Sequence, residues 1–576
     1  MPGHVIVCGL GQVGHRVVNL LVQLGERVTV VAEGSREDWL RSARQQGVQV
    51  VLGDARDAGI LAQAGIDDAA ALIAATDRDA INIDLALEAK QRRPDLPIVI
   101  RLFDQQLASQ LESVLGVRSA FAMAALAAPT FAATASDARI SSWFDVDGVS
   151  LAVGRLSMEV GSPFLGLSVS EMAARWNLAA IACTSPDGTA IPVPAEQEVQ
   201  PGDTLTLVGA RDAWSAALGA TDHVEPVWPN WKRRGSSAAR QLDPLAAIRL
   251  VWTIWRNAPI GMRAVSASFG VLVVVSLFVF KQSLGLSLVD ALYFMATTLT
   301  TTGYGDITPS QGADAVKIYA ALFMLAGSAT LGILLSMVTD FVVTTRFEAL
   351  SGHRRISIED HVVVVGLGNV GYRTMAQLAR AGERVVGVER NGDGEFVQAS
   401  RALGPVVIGD ARLANTLEMA GVSRARALVA VTPDDATNLT VGLAVKQGNP
   451  HVRTVVQLLE PNFARKAQGA LGVDASLSAP FIAAPAFVAA ALYPDVCHAF
   501  MLAFRLCALV DQSVPPEMDG LTCAQVANRD GILPLLVKRS TEQGFVPLTN
   551  DNCLAQGQRM VGLRWKEQIQ LTKREL

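Results

Sequence analysis

The feature that most constrains this chain of 576 residues is a repeat, because its first part returns near its end. Residues 4–14 form an apolar run followed by Gly-x-Gly-x-x-Gly, and residues 361–371 have the same pattern. The likeness continues with Gly-Asp-Ala-Arg at 53–56 and at 409–412, after one residue has been lost from the second copy. Agreement over so long a stretch indicates a duplicated domain rather than a chance motif.

Each copy predicts a parallel α/β sheet of the Rossmann type. In the first copy, short apolar runs that suit buried strands alternate with helical patterns, as is typical of parallel sheets. The glycines stand between the first strand and the first helix, where the dinucleotide-binding fingerprint requires them. Such a turn lets the backbone approach a phosphate, and the helix N-terminus adds unpaired N–H groups. The apolar runs are His4–Cys8, Val28–Val31, Val48–Leu52, Ala71–Ala74 and Ile98–Ile100.

The two copies differ where a ribose-binding acid belongs, directly after the second strand. Glu389 holds this place in the second copy, whereas the first copy has Ala32 there and Glu33 one residue late. An acid favours a free ribose diol, as in NAD(H), ADP or ATP, and disfavours the 2′-phosphate of NADP. The second copy is therefore the better candidate for a nucleotide site. Asp54 and Asp410, near the end of each third strand, are candidates for holding the adenosine.

The predicted nucleotide-site residues form two sets, one for each copy. Those of the second copy are Gly366, Gly368, Asn369, Val370, Gly371, Glu389, Asp410 and Thr432. Those of the first copy are Gly9, Gly11, Gln12, Val13, Gly14, Glu33, Asp54 and Thr76. In the first copy, a sharp strand-to-helix turn without a ligand explains the glycines equally well. The small β-rich segments that follow the copies have no catalytic cluster and are expected to bind an effector or a neighbouring subunit.

The segment between the copies is apolar enough to cross a membrane. The whole chain combines a mean hydropathy of +0.31 with 18% charged residues, which predicts a small membrane part on a large soluble part. Met262–Phe280 is close to the ~20 apolar residues that a spanning helix needs, and Ile318–Val343 exceeds that length. Before them, a polar linker over Ala220–Asp243 leads into Pro244–Trp255, whose composition suits either the membrane interface or a soluble linker helix.

A short run between the two spans carries the most specific motif. Ser287, with Asp290 three residues on, predicts a capped helix over Ser287–Leu299 that is too short to span and is therefore re-entrant. Thr301–Asp306 follows it, and glycines permit a backbone that turns carbonyl oxygens in one direction. Rings of such carbonyls replace the hydration shell of K⁺. The stretch resembles the selectivity filter of potassium channels, usually Thr-Val-Gly-Tyr-Gly-Asp, and departs from it only at Thr302.

The filter resemblance assigns individual residues. It implies a filter made of Thr301, Thr302, Gly303, Tyr304, Gly305 and Asp306. It implies K⁺ coordination at Thr301, Thr302, Gly303 and Tyr304. Gly-Tyr-Gly also occurs as an ordinary turn in soluble loops, so the motif takes its weight from the spans around it. Gly327 and Gly332, in the second span, are candidates either for a gating hinge or for close helix packing.

The distribution of charge predicts how the chain is oriented in the membrane, and the net charge argues against nucleic acid as a partner. Arginines flank the two spans, whereas the loop between the spans holds two lysines and three aspartates. By the positive-inside rule both termini are cytoplasmic, and we expect a multi-pass protein of the inner (plasma) membrane in contact with lipid. A net charge of −5 gives no footprint for nucleic acid. The N-terminus has no signal-peptide pattern, and the six cysteines form neither a metal spacing nor a disulfide framework.

Taken together, the repeats and the filter resemble a two-span potassium channel with RCK domains, the regulators of potassium conductance. The resemblance implies a mixed membrane and α/β fold, in which two Rossmann-like RCK domains, each with a small α+β C-terminal subdomain, flank an all-α pore. It implies a homotetramer, since one chain supplies a quarter of a filter, and a cytoplasmic gating ring of eight RCK domains. One RCK domain before the pore and one after it departs from the common plan, in which both follow. The implied boundaries are 1–140 and 353–490 for the Rossmann parts, 141–218 and 491–576 for their subdomains, 219–261 for the linker with its interfacial helix, and 262–345 for the pore.

The expected function is passive K⁺ conduction through a pore that a small-molecule or ion effector gates. NAD(H), an adenine nucleotide or a divalent cation such as Ca²⁺ is compatible as the ligand, and no residues mark a divalent site. Neither soluble half has an acid, base or metal set that suggests an enzyme. The alternative is an RCK-regulated component of a potassium transport system that requires a separate membrane partner. The sequence leaves open whether the ligand opens or closes the pore, and in which direction K⁺ flows.

Overall fold

The structure is a computed structural model, and it describes residues 3–185, 188–191, 193–194, 196–221, 260–351, 356–459, 472–539, 544–548 and 552–567. The chain divides into two compact units. One unit combines both arms, 1–230 and 355–576, and the other is the apolar segment, 231–354. The predicted linker and interfacial helix at 219–261 lie largely outside the described residues.

The first arm begins with a six-stranded parallel sheet of order β3-β2-β1-β4-β5-β6. Its central strands are buried along their whole length, because helices cover both faces of a parallel sheet. The strands are β1 Val5–Cys8, β2 Val28–Ala32, β3 Gln49–Leu52, β4 Ala71–Ala74, β5 Ile98–Leu102 and β6 Ser119–Ala122. The helices are α1 Gln12–Gln23, α2 Glu37–Gln45, α3 Ala58–Gln63, α4 Asp79–Arg92, α5 Gln105–Leu115 and α6 Met123–Ser136.

A five-stranded antiparallel sheet follows in the first arm, with the order β10-β9-β11-β8-β7. Its strands are β7 Ile140–Val146, β8 Val149–Ser157, β9 Leu178–Ser185, β10 Gly188–Ala190 and β11 Thr204–Ala210. Its helices are α7 Val169–Trp176 and α8 Arg211–Thr221. Ser168 and Glu171 form a capping box at the start of α7, with each side chain bonded to the other residue's backbone N–H.

Over its described residues, 260–351, the apolar segment forms three α-helices, α9 Ile260–Leu284, α10 Leu288–Leu299 and α11 Asp314–Ser351. Two of them are long and apolar enough to cross a membrane, over Arg263–Leu284 and Asp314–Met337. The predicted cap of the short helix is present, since the Ser287 hydroxyl accepts from the Asp290 N–H at 3.1 Å and donates to the Asp290 carboxylate at 2.7 Å. The Phe280 ring packs edge-on against Phe294 at 5.1 Å and Phe323 at 5.4 Å, so the three helices share one small core.

The second arm repeats the first. Its parallel sheet has the order β14-β13-β12-β15-β16-β17, the same permutation as in the first copy. The strands are β12 Val362–Val365, β13 Val385–Glu389, β14 Val406–Ile408, β15 Ala427–Ala430, β16 Arg453–Gln457 and β17 Ala475–Leu477. The helices are α12 Asn369–Arg380, α13 Val397–Arg401, α14 Ala414–Met419, α15 Asp435–Gly448 and α16 Ala479–Leu492. The two Rossmann-like sheets predicted from the repeat are confirmed.

The second arm also ends in a five-stranded antiparallel sheet, of order β18-β19-β22-β20-β21. Its strands are β18 Val496–Leu502, β19 Arg505–Ser513, β20 Leu533–Lys538, β21 Val546–Pro547 and β22 Arg559–Glu567, with α17 at Cys523–Asp530. Thr522 and Gln525 form a capping box at α17, as Ser168 and Glu171 do at α7. Over its described residues, the second subdomain therefore has the same strand order as the first.

The two Rossmann domains exchange their last helices. Helix α6 of the first copy packs on α12 of the second, and α16 of the second packs on α1 of the first. Both exchanged helices are rich in alanine and carry an internal proline, Pro129 or Pro485, and alanine allows backbones to approach closely. The two antiparallel subdomains also share a core, in which Phe144 stacks on His498 with 4.7 Å between the ring centroids. The two arms therefore form a single packed body.

Candidate functional site

The outer glycines of each fingerprint are required by the fold itself. Gly9 and Gly366 have φ of +98° and +86°, in a region that side chains disfavour. A Cβ on Gly14 would lie 1.9 Å from the Gly9 carbonyl oxygen, and one on Gly371 would lie 1.8 Å from that of Gly366. These four glycines are explained by the tight passage from strand to helix, with or without a ligand.

The middle glycine of each fingerprint has no such explanation. Gly11 and Gly368 have ordinary φ of −86° and −75°, and a Cβ on either would meet no atom within 4 Å. Each is the N-cap of the following helix, where no side chain caps the free N–H groups. An uncapped helix N-terminus attracts anions. The open space therefore lies where a phosphate can approach the backbone, and this separates the site from a plain turn.

In the second copy, the glycine turn opens into a cleft of about 400 Å³ at the carboxyl ends of the strands. Ligands bind at this end of open parallel sheets. Five of the eight predicted residues line it, namely Gly366, Gly368, Glu389, Asp410 and Thr432. Gly371 is buried under the turn, and Asn369 and Val370 face a neighbouring cleft instead. Among the lining residues that were not predicted from sequence, four have charged or hydroxyl-bearing side chains: Arg390, Arg412, Asp434 and Thr437.

The carboxylate of Glu389 lies against the glycine turn. One oxygen accepts the Leu367 N–H at 2.7 Å, and the other accepts the N–H groups of Arg390 at 2.9 Å and Asn391 at 3.0 Å. A carboxylate has about four acceptor positions, so at least one stays available to a ribose hydroxyl. Backbone N–H groups therefore hold the residue predicted to bind a ribose against the glycine turn.

The aspartate after the third strand is paired in both copies. The Arg412 guanidinium donates to both oxygens of Asp410 at 2.6 to 3.1 Å, and the Arg412 N–H donates at 2.9 Å. Hydrogen bonds from Arg412 lower the pKa of Asp410 to about 2. Asp54 and Arg56 repeat this arrangement in the first copy. The pair was visible in the sequence as the repeated Gly-Asp-Ala-Arg, but the role of the arginine was not predicted.

Thr432 is positioned by a buried asparagine. The Asn438 side-chain oxygen accepts from the Thr432 N–H at 2.8 Å and from its hydroxyl at 2.8 Å. The Asn438 amide donates to the carbonyls of Thr432 and Gln457, so every hydrogen-bonding position of the asparagine is used. Asn82 holds Thr76 in the same way. This clamp fixes the loop that faces the glycine turn across the cleft.

The first copy has a larger cleft of about 730 Å³ at the same place. Gly9, Gly11, Gln12, Glu33, Asp54 and Thr76 line it, whereas Val13 and Gly14 are buried beneath the turn. Strand pairing puts Ala32 opposite Leu52 and Glu389 opposite Ile408, so Ala32 occupies the position of the ribose acid. The Glu33 side chain is 65% exposed and its carboxylate lies 3.6 Å from the Arg78 guanidinium.

A third cleft, of about 290 Å³, lies at the seam between the two copies. Asn369, directly after the middle glycine of the second copy, donates its amide to the Phe103 carbonyl of the first copy at 3.0 Å. Asp79 accepts the Phe103 N–H at 2.8 Å and holds this loop. Gly368 borders both the seam and the second cleft. The cleft of the second copy is therefore one residue away from a contact between the two copies.

The predicted filter has an alternating backbone. Thr301, Gly303 and Gly305 have φ of +59°, +55° and +78°, whereas Thr302 and Tyr304 between them do not have positive φ. Alternation of this kind aims successive carbonyls to one side, as a carbonyl-lined filter needs. The Thr302 hydroxyl lies 2.9 Å from that of Thr300, which gives the unusual side chain a partner. The Thr297 carbonyl accepts the N–H groups of Thr302 and Gly303 and joins this stretch to the end of α10.

The two predicted hinge glycines have different surroundings. A Cβ on Gly327 would lie 2.4 Å from a methyl group of Leu299 in the short helix, so this glycine permits close packing. A Cβ on Gly332 would meet nothing within 4 Å. Helix α11 runs unbroken through both. Close packing, one of the two predicted roles, therefore applies to Gly327 but not to Gly332.

Among the described residues, no group of three or more histidines, cysteines, aspartates or glutamates is arranged to hold a metal ion. The described part of the chain thus adds no support for a Ca²⁺ site. Anionic ligands at the glycine turns are better matched by the geometry than a divalent cation is.

Comparisons with known proteins agree with this architecture. The TrkA-N domain family matches residues 5–122 and again 362–479, and the ion channel family matches residues 266–344. The "Probable potassium channel protein 2" of Methanocaldococcus jannaschii is 25% identical over 189 residues, which cover 32% of this chain and 54% of that protein. The "Voltage-gated potassium channel Kch" of Escherichia coli is 27% identical over 175 residues, which cover 30% of this chain and 42% of that protein.

The fold is similar to that of a solved RCK channel. The structure described as "GsuK channel bound to NAD" has a TM-score of 0.51 and 16% identity, and the match covers 98% of this chain and 77% of that one. At this identity the likeness concerns the fold alone. The chain spans about half the length of the two curated relatives described above.

Proposed function

Since this chain is built from two TrkA-N domains around an ion-channel domain, we propose that it is a potassium channel whose pore is gated by nucleotide binding to the TrkA-N domains. The observation that carries the proposal is the alternating backbone of Thr301–Asp306, placed after a capped short helix and between two spanning helices. Carbonyls aimed one way are what K⁺ coordination requires. The two curated relatives described above are named as potassium channels.

The pore is proposed to be a homotetramer in the inner (plasma) membrane, with both termini in the cytoplasm. One chain contributes one filter strand, and Tyr304 is 70% exposed within the single chain, so its ring has room for contacts from neighbouring subunits. Four chains with two RCK domains each give a ring of eight. The proposed K⁺ ligands are the carbonyls of Thr301, Thr302, Gly303 and Tyr304, with Gly305 and Asp306 completing the filter.

The regulatory ligand is proposed to be NAD(H) or an adenine nucleotide in the second cleft. The open space at Gly368 suits a pyrophosphate, and Glu389 suits a ribose diol. The GsuK structure, which has a similar fold, is described as bound to NAD. Because Asn369 joins this cleft to the seam between the copies, a ligand at Gly368 favours one arrangement of that seam.

Opening of the pore is proposed to bend α11 at Gly332, whose surroundings leave space, rather than at Gly327, which packs on Leu299. Gly332→Ala should therefore lower the fraction of time that the pore is open, without impairing assembly. Gly327→Ala should instead destabilise the pore, because its new methyl group overlaps Leu299. Single-channel recordings together with size-exclusion chromatography separate these effects.

The competing function is a regulated component of a transport system that needs another membrane protein. K⁺ flux into liposomes that contain only this purified chain decides between the two. We expect flux that NAD or ADP changes, and no flux for Gly303→Ala, because alanine does not hold φ of +55° without strain. Gly285→Ala is the matched control, since Gly285 has φ of +64° in the turn before the short helix and lies outside the filter. Absence of flux with every nucleotide would favour the transport component.

A further inference from the structure

The two nucleotide clefts have different chemistry at the ribose position. In the second cleft, Glu389 presents a carboxylate that attracts a ribose diol and repels a 2′-phosphate. In the first cleft the same position is the methyl group of Ala32, which repels neither. The two clefts therefore differ at the ribose position, which is also where a ligand with a 2′-phosphate differs from one without it.

A serine, rather than a glutamate, joins the loop after β2 to the glycine turn in the first copy. The Ser35 hydroxyl donates to the Leu10 carbonyl in the glycine turn at 2.7 Å. Leu10 corresponds to Leu367, whose N–H is bonded to Glu389 in the second copy. The serine therefore holds the loop over the turn without placing a charge there, and it brings Arg36 to the rim of the cleft.

Arg36 is held in a position to meet an anion. Its guanidinium carbon lies 4.8 Å from the centre of the Trp39 ring, and Trp39 in turn stacks on His15 with 5.0 Å between centroids. Arg36 donates from Nε and Nη2 to Asp38, at 3.1 and 2.7 Å, and its side chain stays 66% exposed. A guanidinium has five N–H donors, so three remain for a ligand.

The charge lining the two clefts also differs. Arg36, Arg78 and Arg101 line the first cleft with Glu33, Asp54 and Asp77. Arg390 and Arg412 line the second cleft with Glu389, Asp410 and Asp434. The first cleft thus has one more cation for the same number of carboxylates. It is also the larger, at about 730 Å³ against about 400 Å³.

We infer that the first cleft binds a dinucleotide that carries a 2′-phosphate on its adenosine ribose, the chemistry of NADP(H), with Arg36 as the residue that contacts this phosphate. An arginine after the second strand, in place of the ribose acid, is the arrangement that accommodates a 2′-phosphate in Rossmann folds. The inference rests on the proposed function, in that it takes the first glycine turn to bind a nucleotide. One chain would then respond to two nucleotide pools through its two copies.

The test is isothermal titration calorimetry on the full-length chain in detergent, with NADP⁺, NAD⁺ and 2′,5′-ADP as probes. We expect one NADP⁺ site per chain that 2′,5′-ADP competes for and that Arg36→Ala weakens by about tenfold or more, as loss of a charge-assisted bond implies. Arg36→Lys should recover part of the affinity. Arg390→Ala, on the matching loop of the second copy, should leave NADP⁺ binding unchanged.

Two further variants test whether the residue at the ribose position decides which dinucleotide each cleft binds. Ala32→Glu should exclude NADP⁺ from the first cleft and admit NAD⁺, whereas Glu389→Ala should weaken NAD⁺ only. Equal affinity of the first cleft for NADP⁺ and NAD⁺, measured in the Glu389→Ala chain whose second cleft is impaired, would overturn the inference while leaving nucleotide gating intact. NADP⁺ binding untouched by Arg36→Ala would do the same. Binding of neither dinucleotide nor of ADP would overturn both.

Discussion

The two Rossmann copies share their strand order and the contacts that form the glycine turn, and they differ where residues face the clefts. Both have the same strand order, the same outer glycines, the same aspartate–arginine pair and the same asparagine clamp. They differ at Ala32 and Glu389, and in the loop after them. The scaffold was thus kept after the duplication, while the ligand-facing positions diverged. The comparison separates what folds each copy from what each copy binds.

The largest effect is expected where both copies depend on the same glycine. Gly371→Ala would place a methyl carbon 1.8 Å from the Gly366 carbonyl oxygen, which should destabilise the domain by about 3 kcal/mol or more. Gly14→Ala should do the same in the first copy. Thermal unfolding followed by circular dichroism gives the shift. Gly368→Ala is the control, because its methyl group meets open space; a similar loss of stability there would contradict the division into folding and binding glycines.

A pH effect is expected in the second copy alone. Burial lowers the pKa of His498 to about 4, below about 6.5 in the unfolded chain, so the folded state favours the neutral ring. The contribution of this pKa shift to the free energy of unfolding is fully present above about pH 6.5. It is lost as the pH falls toward 4, and about 2 kcal/mol of it is lost at pH 5. The matching residue of the first copy is Ser142, which does not titrate. His498→Phe should remove this dependence in unfolding measurements at pH 5 and pH 7; an unchanged slope would assign it to other groups.

The acid after the second strand should matter in one copy only. Glu389→Gln should weaken NAD⁺ binding by about tenfold, because a charge-assisted bond to ribose is replaced by a neutral one. Glu33→Gln should have no such effect, since its carboxylate is exposed and faces Arg78. Calorimetric titration of the two variants measures both. Equal losses would mean that Glu33, and not the position of Ala32, marks the ribose site.

The smallest effect is expected from the exposed aspartate–arginine pairs. The Arg412 side chain is 50% exposed and that of Arg56 is 44% exposed, so solvent screens both pairs. Asp410→Asn and Asp54→Asn should each cost less than about 1 kcal/mol of stability. Chemical unfolding of the two variants checks this. A clearly larger loss for one of them would show that the copies are not equivalent at this shared feature.

Much of the fold follows from local patterns in the sequence. The repeat, the parallel sheets, the serine cap at Ser287 and both spans depend on short-range periodicity and composition, and all are present in the structure. The exchange of α6 and α16 was not predicted. These helices are apolar on all sides, so no polar face indicates a partner, and that partner lies in the other copy hundreds of residues away.

The clefts could also be predicted only where their residues follow from local spacing. The glycines, Glu389 and Asp410 sit at fixed distances from strand ends, and spacing alone locates them. Arg36 and Trp39 line the first cleft on a loop that the Ser35 hydroxyl joins to the glycine turn, and spacing does not predict this contact. The partner of the Thr302 hydroxyl likewise depends on the left-handed backbone of Thr301 between the two threonines.

The helix exchange has a consequence for how the chain is made. Residues 123–136 leave the ribosome long before α12, on which they pack, has been synthesised. Until then α6 is covered only by its own arm, on the side that faces β7, and α1 lacks its partner α16 at residues 479–492. The membrane helices are translated during this interval. The packed body of the two arms is therefore completed only after the long apolar helices have been translated. A chain interrupted after its second long apolar helix keeps exposed apolar surface, which makes partly folded chains prone to aggregation.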